Sequence, residues 1–351
     1  MTQQNASPDF PSENRTHSRR IRILEAVVRD YVATHEPVGS RALVERYNLG
    51  VSPATVRNDL AALEDKGYLA QPHTSAGRIP TDAGYRSFVD SLDEIKPLSP
   101  AERRAIERFL DGAVDLDDAV IRAVRLLAKI TNHVALVQYP SLNRVSLRHI
   151  ELIKASEHHV ILILITDAGR VEQRTLSTHT AHSESEIAHL TQTLNTRCCG
   201  KLLSDVPSIV ENICTSSPDK LQPLINAISD TICEALATES EERLVLAGTA
   251  NLSRNAGDFS NSISPVLDLL EEQVVLLKLM AGLHEGLSVS IGQENNHAGL
   301  GEASLVAASY DIDGSSVARL GVVGPTRMDY PETMAAVYAI SRYLSHNLTG
   351  K

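Results

Sequence analysis

Small, polar and cationic side chains recur at three- and four-residue spacing in the stretch "SPATVRNDLA". At about 100° per residue, Arg57 and Asn58 fall on the side of a helix opposite Val56 and Leu60. Arginine can donate two hydrogen bonds to guanine, asparagine can pair with adenine, and alanine leaves room for a thymine methyl group. These side chains could therefore read base edges in a DNA groove. The residues predicted to do so are Ser52, Ala54, Thr55, Arg57, Asn58 and Ala61.

An alternative interpretation is an ordinary solvated helix face that carries an arginine and an asparagine by chance, and another is that Arg57 pairs with Asp59 or Glu64. The residues that follow favour the first interpretation. The stretch "GYLAQPHTSAGRIPT" predicts two short strands joined by a polar turn, in which we expect Gly77 to supply a positive φ. Imidazole, hydroxyl and guanidinium groups in that turn can donate to phosphate oxygens or enter a minor groove. The turn residues predicted to contact DNA are His73, Thr74, Ser75, Gly77 and Arg78.

Three helices must position these residues. The first carries an apolar stripe that ends before Pro37, and the short second helix has Ser40 as its expected N-cap. The third is capped by Ser52, has proline in its first turn, and ends near Gly67. Three helices followed by a two-stranded ribbon predict a winged helix-turn-helix domain over residues 16–92. We expect residues 1–15 to be a disordered leader. The stripe of the first helix consists of Ile21, Leu24, Val27, Val28, Tyr31 and Val32.

The net charge of −11 is distributed unevenly along the 351 residues. Residues 1–90 hold 11 basic and 11 acidic side chains, so the remainder carries the whole negative balance. An acidic remainder argues against general nucleic-acid binding there. Contact with an anionic partner is therefore predicted only for the N-terminal quarter.

Other function classes find little support. The four cysteines form no CxxC pair, and their spacing to His179, His182 and His189 matches no common zinc pattern. The chain contains no GxGxxG, no GxxxxGK[ST] and no GxSxG motif. The apolar run "VILILI" is too short for a bilayer, and no secretory signal is evident. We expect a cytoplasmic protein without catalytic residues, cofactor, metal or membrane contact.

Beyond a helical connection over residues 93–133, the pattern alternates between strands and helices, which predicts an α+β domain over residues 134–348. The segments "VALVQYP" and "VSLRHIELIKASEHHVILILITDAGRVEQRTLS" are interpreted as one antiparallel sheet. Later strands are predicted at "LSVSIG", "ASLVAASYDI" and "VARLGVVGP". Helices are predicted over residues 183–203, 218–237, 268–283 and 331–348.

Four segments carry a resemblance to a known family. Residues 37–90 contain "SPATVRNDL" and "PHTSAGRIPT", residues 248–261 read "GTANLSRNAGDFSN", residues 288–295 read "SVSIGQEN", and residues 321–348 contain "GPTRMDY". These blocks resemble, in the same order, those of the HrcA heat-inducible transcription repressor family of bacteria. Outside them, the leader and residues 180–240 show little likeness.

The resemblance implies a homodimeric repressor that binds an inverted-repeat operator upstream of chaperone genes and releases it on heat stress. It also implies that a chaperonin supports the active form. The large domain would be similar to the GAF sensor fold, with an inserted dimerisation segment around residues 205–255. A two-fold DNA site matches a two-fold protein with one reading helix per half-site.

Two further hypotheses remain open. The same winged helix could be controlled by a small molecule bound in the sensor-like domain, and an enzyme is the least favoured option. The response of operator affinity to a metabolite, rather than to temperature and chaperonin, would discriminate the first of these from the repressor.

Overall fold

The described residues of the N-terminal domain form four helices and a two-stranded ribbon. The computed structural model describes residues 11–73, 76–92, 98–140, 145–238, 243–259, 263–312 and 315–348. Within these ranges, no helix is both long and apolar enough to cross a membrane. The elements of the first domain are α1 (Pro11–Thr34), α2 (Ser40–Arg46), α3 (Pro53–Asp65), β1 (Leu69–Ala70), β2 (Ile79–Pro80) and α4 (Asp82–Asp90).

Both ends of α3 are fixed by the residues that the sequence indicates. The Ser52 hydroxyl accepts a hydrogen bond from the Thr55 N–H at 3.2 Å, and proline occupies the first turn. Gly67 follows the helix with φ of +78°. Its N–H donates to Glu64 O at 2.8 Å, and the Tyr68 N–H donates to Leu63 O at 3.0 Å. This pair of bonds is a Schellman motif, for which a left-handed glycine is the usual solution.

The start of this domain differs from expectation in two places. Helix α1 begins at Pro11, so part of the expected leader is helical, and residues 1–10 lie outside the described residues. The N-cap of α2 is Gly39 rather than Ser40, and it makes no side-chain cap bond. The chain is still extended there because Val38 forms a β-bridge with Arg78, which delays the helix until Ser40.

The C-terminal part is built on a five-stranded antiparallel sheet. The strand order is β7-β3-β10-β9-β8, where β3 is Val134–Gln138, β7 is Leu244–Ala247, β8 is Leu287–Ile291, β9 is Ala303–Ile312 and β10 is Ser315–Pro325. Two helices, α5 (Pro100–Leu110) and α6 (Leu116–Thr131), precede the sheet. The elements α10 (Thr249–Arg254), α11 (Ser264–Glu271) and α12 (Gln273–Ala281) follow β7, and α13 (Tyr330–Leu348) closes the chain.

Alternate residues of the sheet face two different cores. Ala135 and Val137 of β3 pack in the core formed with α6 and α13. Val134 and Leu136 of the same strand face the opposite way, into a core with α11 and α12. The two-residue period of a strand produces this division, and it explains why β3 reads as a continuous apolar run.

The chain leaves this sheet after β3 and returns at β7, although the two strands are neighbours. The intervening residues form a separate three-stranded antiparallel sheet with its own helices. One predicted sheet is therefore two, and the excursion between the strands spans residues 139–243, which overlaps the range 205–255 predicted for the dimerisation segment. Its elements are β4 (Leu147–Lys154), β5 (His159–Thr166), β6 (Val171–Ser177), α7 (Glu184–Cys198), α8 (Val206–Thr215) and α9 (Gln222–Thr238).

The single helix predicted over residues 268–283 is also wrong. The backbone breaks at Glu272, where ψ is 74°, and two helices result. Val266 and Leu269 before the break and Leu276 and Met280 after it are all buried in one core. Neither proline nor glycine stands at the break, so the sequence contains no local stop signal.

Candidate DNA-binding surface

The predicted reading face of α3 is exposed. Ala54, Arg57, Asn58 and Ala61 are all solvent-accessible, whereas Val56, Leu60 and Leu63 are buried. Ser52 is also exposed, and Thr55 is half-buried with its hydroxyl 3.0 Å from that of Ser52. Ala54, Arg57, Asn58 and Ala61 therefore share one exposed side of α3, and Ser52 and Thr55 lie at its N-terminal end.

Asp59, the buried acidic residue of α3, is paired with two arginines of α1. Asp59 is buried and accepts hydrogen bonds from Arg19 Nε at 2.7 Å and Arg20 Nε at 3.1 Å. Burial alone would raise the pKa of Asp59, but the two guanidinium groups lower it below its ordinary value. Asp59 is consequently an anchor between α1 and α3 and not a partner for Arg57.

Arg57 is exposed, and its side chain is not held by a neighbouring residue in the described part of the chain. Within the described ranges, its guanidinium makes no hydrogen bond or ion pair, and neither does the side chain of Asn58. The alternative interpretation, in which Arg57 pairs with Asp59 or Glu64, does not hold, because both carboxylates are engaged by other arginines. Sequence reasoning misses the anchoring role of Arg19 and Arg20. The available signal is the adjacent pair in "HSRRIR", which the sequence alone presents only as local positive charge.

The wing forms as the sequence predicts, with an additional strand contact. Leu69 pairs with Pro80 and Ala70 with Ile79 in an antiparallel ribbon. The wing tip includes His73, which is exposed, and its carbonyl accepts a hydrogen bond from the Ala76 N–H at 2.9 Å. Two more of the predicted turn residues, Thr74 and Ser75, lie outside the described residues.

Gly77 is required for a different reason from the one expected. Its φ is not positive. A Cβ built at this position would lie 2.5 Å from both the carbonyl carbon and oxygen of Val38. The glycine therefore permits close backbone approach at the bridge where the Val38 and Arg78 N–H groups each donate to the other's carbonyl at 2.9 Å.

Arg78 forms an ion pair with Glu64. Its Nε and Nη2 atoms each lie 2.8 Å from Glu64 Oε2, and the side chain is mostly buried. This ion pair ties the wing to the last turn of α3. A phosphate contact by Arg78 would have to compete with Glu64.

The C-terminal part offers little for metal chemistry. No group of three or more histidine, cysteine, aspartate or glutamate side chains is arranged for a metal ion in the part of the chain that the structure describes. All four cysteines are free thiols. Burial raises the pKa of Cys198 to about 11, which leaves it protonated and weakly nucleophilic at neutral pH.

Comparison with known proteins shows which family the chain resembles. Residues 117–334 match the family model described as "HrcA protein C terminal domain", and residues 26–81 match a DeoR-like helix-turn-helix domain. The chain is 56% identical over 347 residues to the heat-inducible transcription repressor HrcA of Beutenbergia cavernae, covering 95% of this chain and 99% of that protein. It is 55% identical to the protein of that name from Streptomyces avermitilis, covering 94% and 98%.

A solved structure supports the whole-chain architecture. A hypothetical protein determined at 2.2 Å resolution aligns with a TM-score of 0.65 at 25% identity, covering 95% of this chain and 98% of that one. The sequence resemblance is thus confirmed by a family model that spans more than half of the chain and by relatives that cover nearly all of it. The chain belongs to the HrcA family.

Proposed function

We propose that this chain is a heat-inducible transcription repressor that binds duplex DNA through α3 and the wing. The observation that carries the proposal is that two polar side chains on the outer face of α3 are exposed and have no partner among the described residues. Arg57 and Asn58 are exposed and unengaged within the described residues, while the nearby carboxylates Asp59 and Glu64 are held by other arginines. The names of the relatives from Beutenbergia and Streptomyces support the same conclusion.

In this proposal α3 enters the major groove, and Arg57 and Asn58 bond to base edges. Ala54 and Ala61 leave space for the close approach of the helix. The wing residues His73, Thr74, Ser75 and Arg78 donate to phosphate oxygens, which sets the register without reading sequence. Arg78 exchanges its carboxylate partner for a phosphate, so one charge-assisted contact replaces another.

The protein acts as a homodimer on an inverted repeat, with one winged helix in each half-site. The excursion of residues 139–243 is the proposed dimerisation segment. On one face of its sheet, the side chains of Ile161, Ile163 and Ile165 are only half-buried. Ile153 lies opposite Ile161, and Val171, which is 60% exposed, lies opposite Ile165. The exposed isoleucine and valine side chains on this face, among polar neighbours on β4 and β6, support burial against a second copy.

The remaining parts of the proposal concern regulation. The operator lies upstream of heat-shock chaperone genes, warming releases the repressor, and a chaperonin sustains its active form in the cytoplasm. The five-stranded antiparallel sheet is covered by helices on both faces, and this architecture supports a GAF-like regulatory domain. A loss of stability of only about 1 to 2 kcal/mol changes an active population severalfold, so a marginally stable repressor responds sharply to temperature.

A second candidate function is control by a small molecule. It is favoured by a cavity of about 640 Å³ between α1, α4 and α13. The lining of this cavity mixes apolar and charged side chains, among them Val32, Phe88, Met334, Arg29 and Glu102. Cavities of this size between domains are common ligand sites. Under this function, operator affinity would change with a metabolite at constant temperature.

The test is a fluorescence-anisotropy titration of the full chain against an inverted-repeat duplex and a scrambled duplex. It is run at fixed salt and two temperatures, with and without chaperonin. We expect the inverted repeat to be preferred, the preference to fall on heating, and chaperonin to restore it. Equal weak binding of both duplexes by folded protein would overturn the proposal. A response to metabolites alone would favour the second function.

The same titration tests the residues. Arg57→Ala and Asn58→Ala should each weaken binding to the inverted repeat by about 1 to 3 kcal/mol and relax base preference at one position per half-site. Arg104→Ala is the matched control, because it removes another exposed arginine, which lies on α5. If Arg57→Ala and Asn58→Ala behave like the control, α3 is not the reading helix.

A further inference from the structure

Two polar clusters join the winged helix to the C-terminal domain. In the first, Arg327, from the turn between β10 and α13, donates from Nη2 to Asp258 Oδ1 and contacts His35 Nδ1 at the end of α1. Its guanidinium also lies over the ring of Tyr31, 5.5 Å from the centroid. The Arg327 side chain is only 8% exposed, and burial lowers its pKa. An arginine buried to this degree holds its partners in one geometry.

In the second cluster, Arg86 of α4 binds Glu294 with two hydrogen bonds, from Nε at 2.9 Å and from Nη2 at 2.6 Å. Nη2 also donates to the carbonyl of Val289 in β8 at 2.6 Å. Beside it, Asp82 accepts a hydrogen bond from the backbone of residue 293, and a Cβ on Gly292 would lie 2.1 Å from its carboxylate. The close approach therefore depends on glycine at that position.

Aromatic packing lies between the two clusters. The rings of Tyr85 and Tyr330 are 5.8 Å apart, and both side chains are buried. We use the name interdomain joint for the two clusters and this ring pair. The joint contacts the winged helix through α1 and α4, whereas the reading face of α3 is exposed to solvent. The stretches "NAGDFSN", "SVSIGQEN" and "GPTRMDY" each supply one of its charged side chains.

We propose that the interdomain joint fixes the direction in which the winged helix points, so that Arg327 and Arg86 are positioning residues for recognition of two half-sites at one fixed spacing. This inference rests on the proposed dimeric repressor. Neither arginine touches DNA in this arrangement. Each acts by holding α1 and α4 against the C-terminal domain, which in turn carries the dimerisation segment.

The physical reason is effective concentration. Once one winged helix of a dimer is bound, the second reaches its half-site as an intramolecular event. Its effective concentration is highest when the connection holds it at the matching distance, and it falls when the connection loosens. The joint should therefore contribute to affinity for the complete inverted repeat and contribute nothing to affinity for a single half-site.

The experiment compares three kinds of duplex: a single half-site, the inverted repeat at its natural spacing, and inverted repeats with the spacing changed by two or five base pairs. The proteins are the wild-type chain, Arg86→Ala, Arg86→Lys, Arg327→Lys and the control Arg342→Ala, which removes an exposed arginine from α13. Circular dichroism and size-exclusion chromatography establish that each variant is folded and has the wild-type oligomeric state. Arg86 lies at the edge of the joint, so its variants keep the test usable should Arg327→Lys not fold.

We expect Arg86→Ala and Arg327→Lys to bind the single half-site as the wild type does, within about twofold. They should lose about tenfold or more in affinity for the naturally spaced repeat and tolerate altered spacing better than the wild type. Arg86→Lys, which keeps the charge without the two-pronged contact, should be intermediate. Arg342→Ala should be unchanged.

Each other outcome identifies what fails. If the wild type prefers the spaced repeat and the folded joint variants keep the same preference and spacing dependence, the joint does not position the winged helix. If the variants lose half-site binding equally, the arginines support the winged helix itself, and the inference is wrong. If the wild type binds the repeat no better than a half-site, the dimeric two-site function fails and takes this inference with it.

Discussion

Replacement of Asp59 by asparagine tests how the reading helix is held. The side chain of Asp59 is only 4% exposed, and it bridges α3 to Arg19 and Arg20, which are each about one-third exposed. Asparagine at this position would have nearly the same shape and would keep one acceptor oxygen, but it would lack the charge. The change therefore isolates the electrostatic part of the α1–α3 contact from its packing.

The expected magnitude follows from these contacts. A pair of unit charges about 4 Å apart attracts by roughly 4 kcal/mol at an effective dielectric constant of about 20. Desolvation of the carboxylate offsets much of this, and the partly exposed arginines are screened by solvent. Hydrogen bonds to charged groups contribute about 1.5 to 3 kcal/mol net, so we expect Asp59→Asn to cost about 2 kcal/mol. For a cooperative unit of winged-helix size, this lowers Tm by roughly 8 to 16 °C.

The assay combines scanning calorimetry with operator binding measured across temperature. The variant should melt earlier and release the inverted repeat at a lower temperature than the wild type. Asp65→Asn is the matched control because Asp65 is exposed and lies on the same helix. A variant that melts within about 2 °C of this control would refute the assignment of Asp59 as an anchor.

The pH dependence supplies a second check. The pKa of Asp59 in the folded chain is lowered, since the hydrogen bonds from Arg19 and Arg20 overcome the opposite effect of burial. Its contribution to stability is thus fully present above the unfolded-state pKa, near 3.8, and is lost as the pH falls through the folded-state pKa. The stability difference between wild type and Asp59→Asn should be constant between roughly pH 6 and 8 and should shrink below about pH 4. A difference that grows on acidification contradicts this reasoning.

Two further substitutions follow from the wing. Glu64→Gln releases Arg78 and removes a negative charge beside the reading face. Affinity for any duplex, measured by anisotropy, should therefore rise severalfold at low salt, and it should fall more steeply as salt is added. An unchanged dependence of affinity on salt would mean that Arg78 stays away from phosphates. Gly77→Ala places a methyl group 2.5 Å from the Val38 backbone and should destabilise the domain by about 1 to 3 kcal/mol in thermal unfolding, whereas Gly39→Ala, with nothing within 4 Å, should not. Equal stabilities of the two glycine variants would contradict the close approach.

The sequence predicts most of the DNA-binding domain because its signals are local. The cap at Ser52, the proline after it and the glycine at position 67 each act within one turn of α3. The apolar period then decides which face is buried. Gly77 shows the limit of such signals. A glycine in a turn suggests positive φ, yet its actual role depends on Val38, which is 39 residues earlier in the chain.

The C-terminal part is less predictable for related reasons. Alternation identifies strands β3 to β6 but does not say which of them pair, so two sheets read as one. Strand β3 finds its partners in β7 and β10, more than 100 residues later. The break at Glu272 is another case, because tertiary packing of α11 and α12 imposes it without a proline or glycine. The interdomain joint is invisible in the sequence for the same reason, since Arg86 and Arg327 meet Glu294 and His35 about 200 residues or more away.

The charge balance of the first 90 residues illustrates why position matters more than composition. The count is neutral, which taken alone offers no attraction to DNA. In the folded domain, however, Asp30 is bound by Arg46, Asp59 by two arginines of α1, and Glu64 by Arg78 of the wing. Interactions between exposed charges are screened within about 8 to 10 Å at physiological salt. DNA bound at α3 is therefore affected by the charge of Arg57 more than by the net charge of the first 90 residues. The acidic remainder of the chain would repel DNA at close range. Beyond that distance its repulsion is screened as well, so the charges next to α3 decide whether DNA approaches.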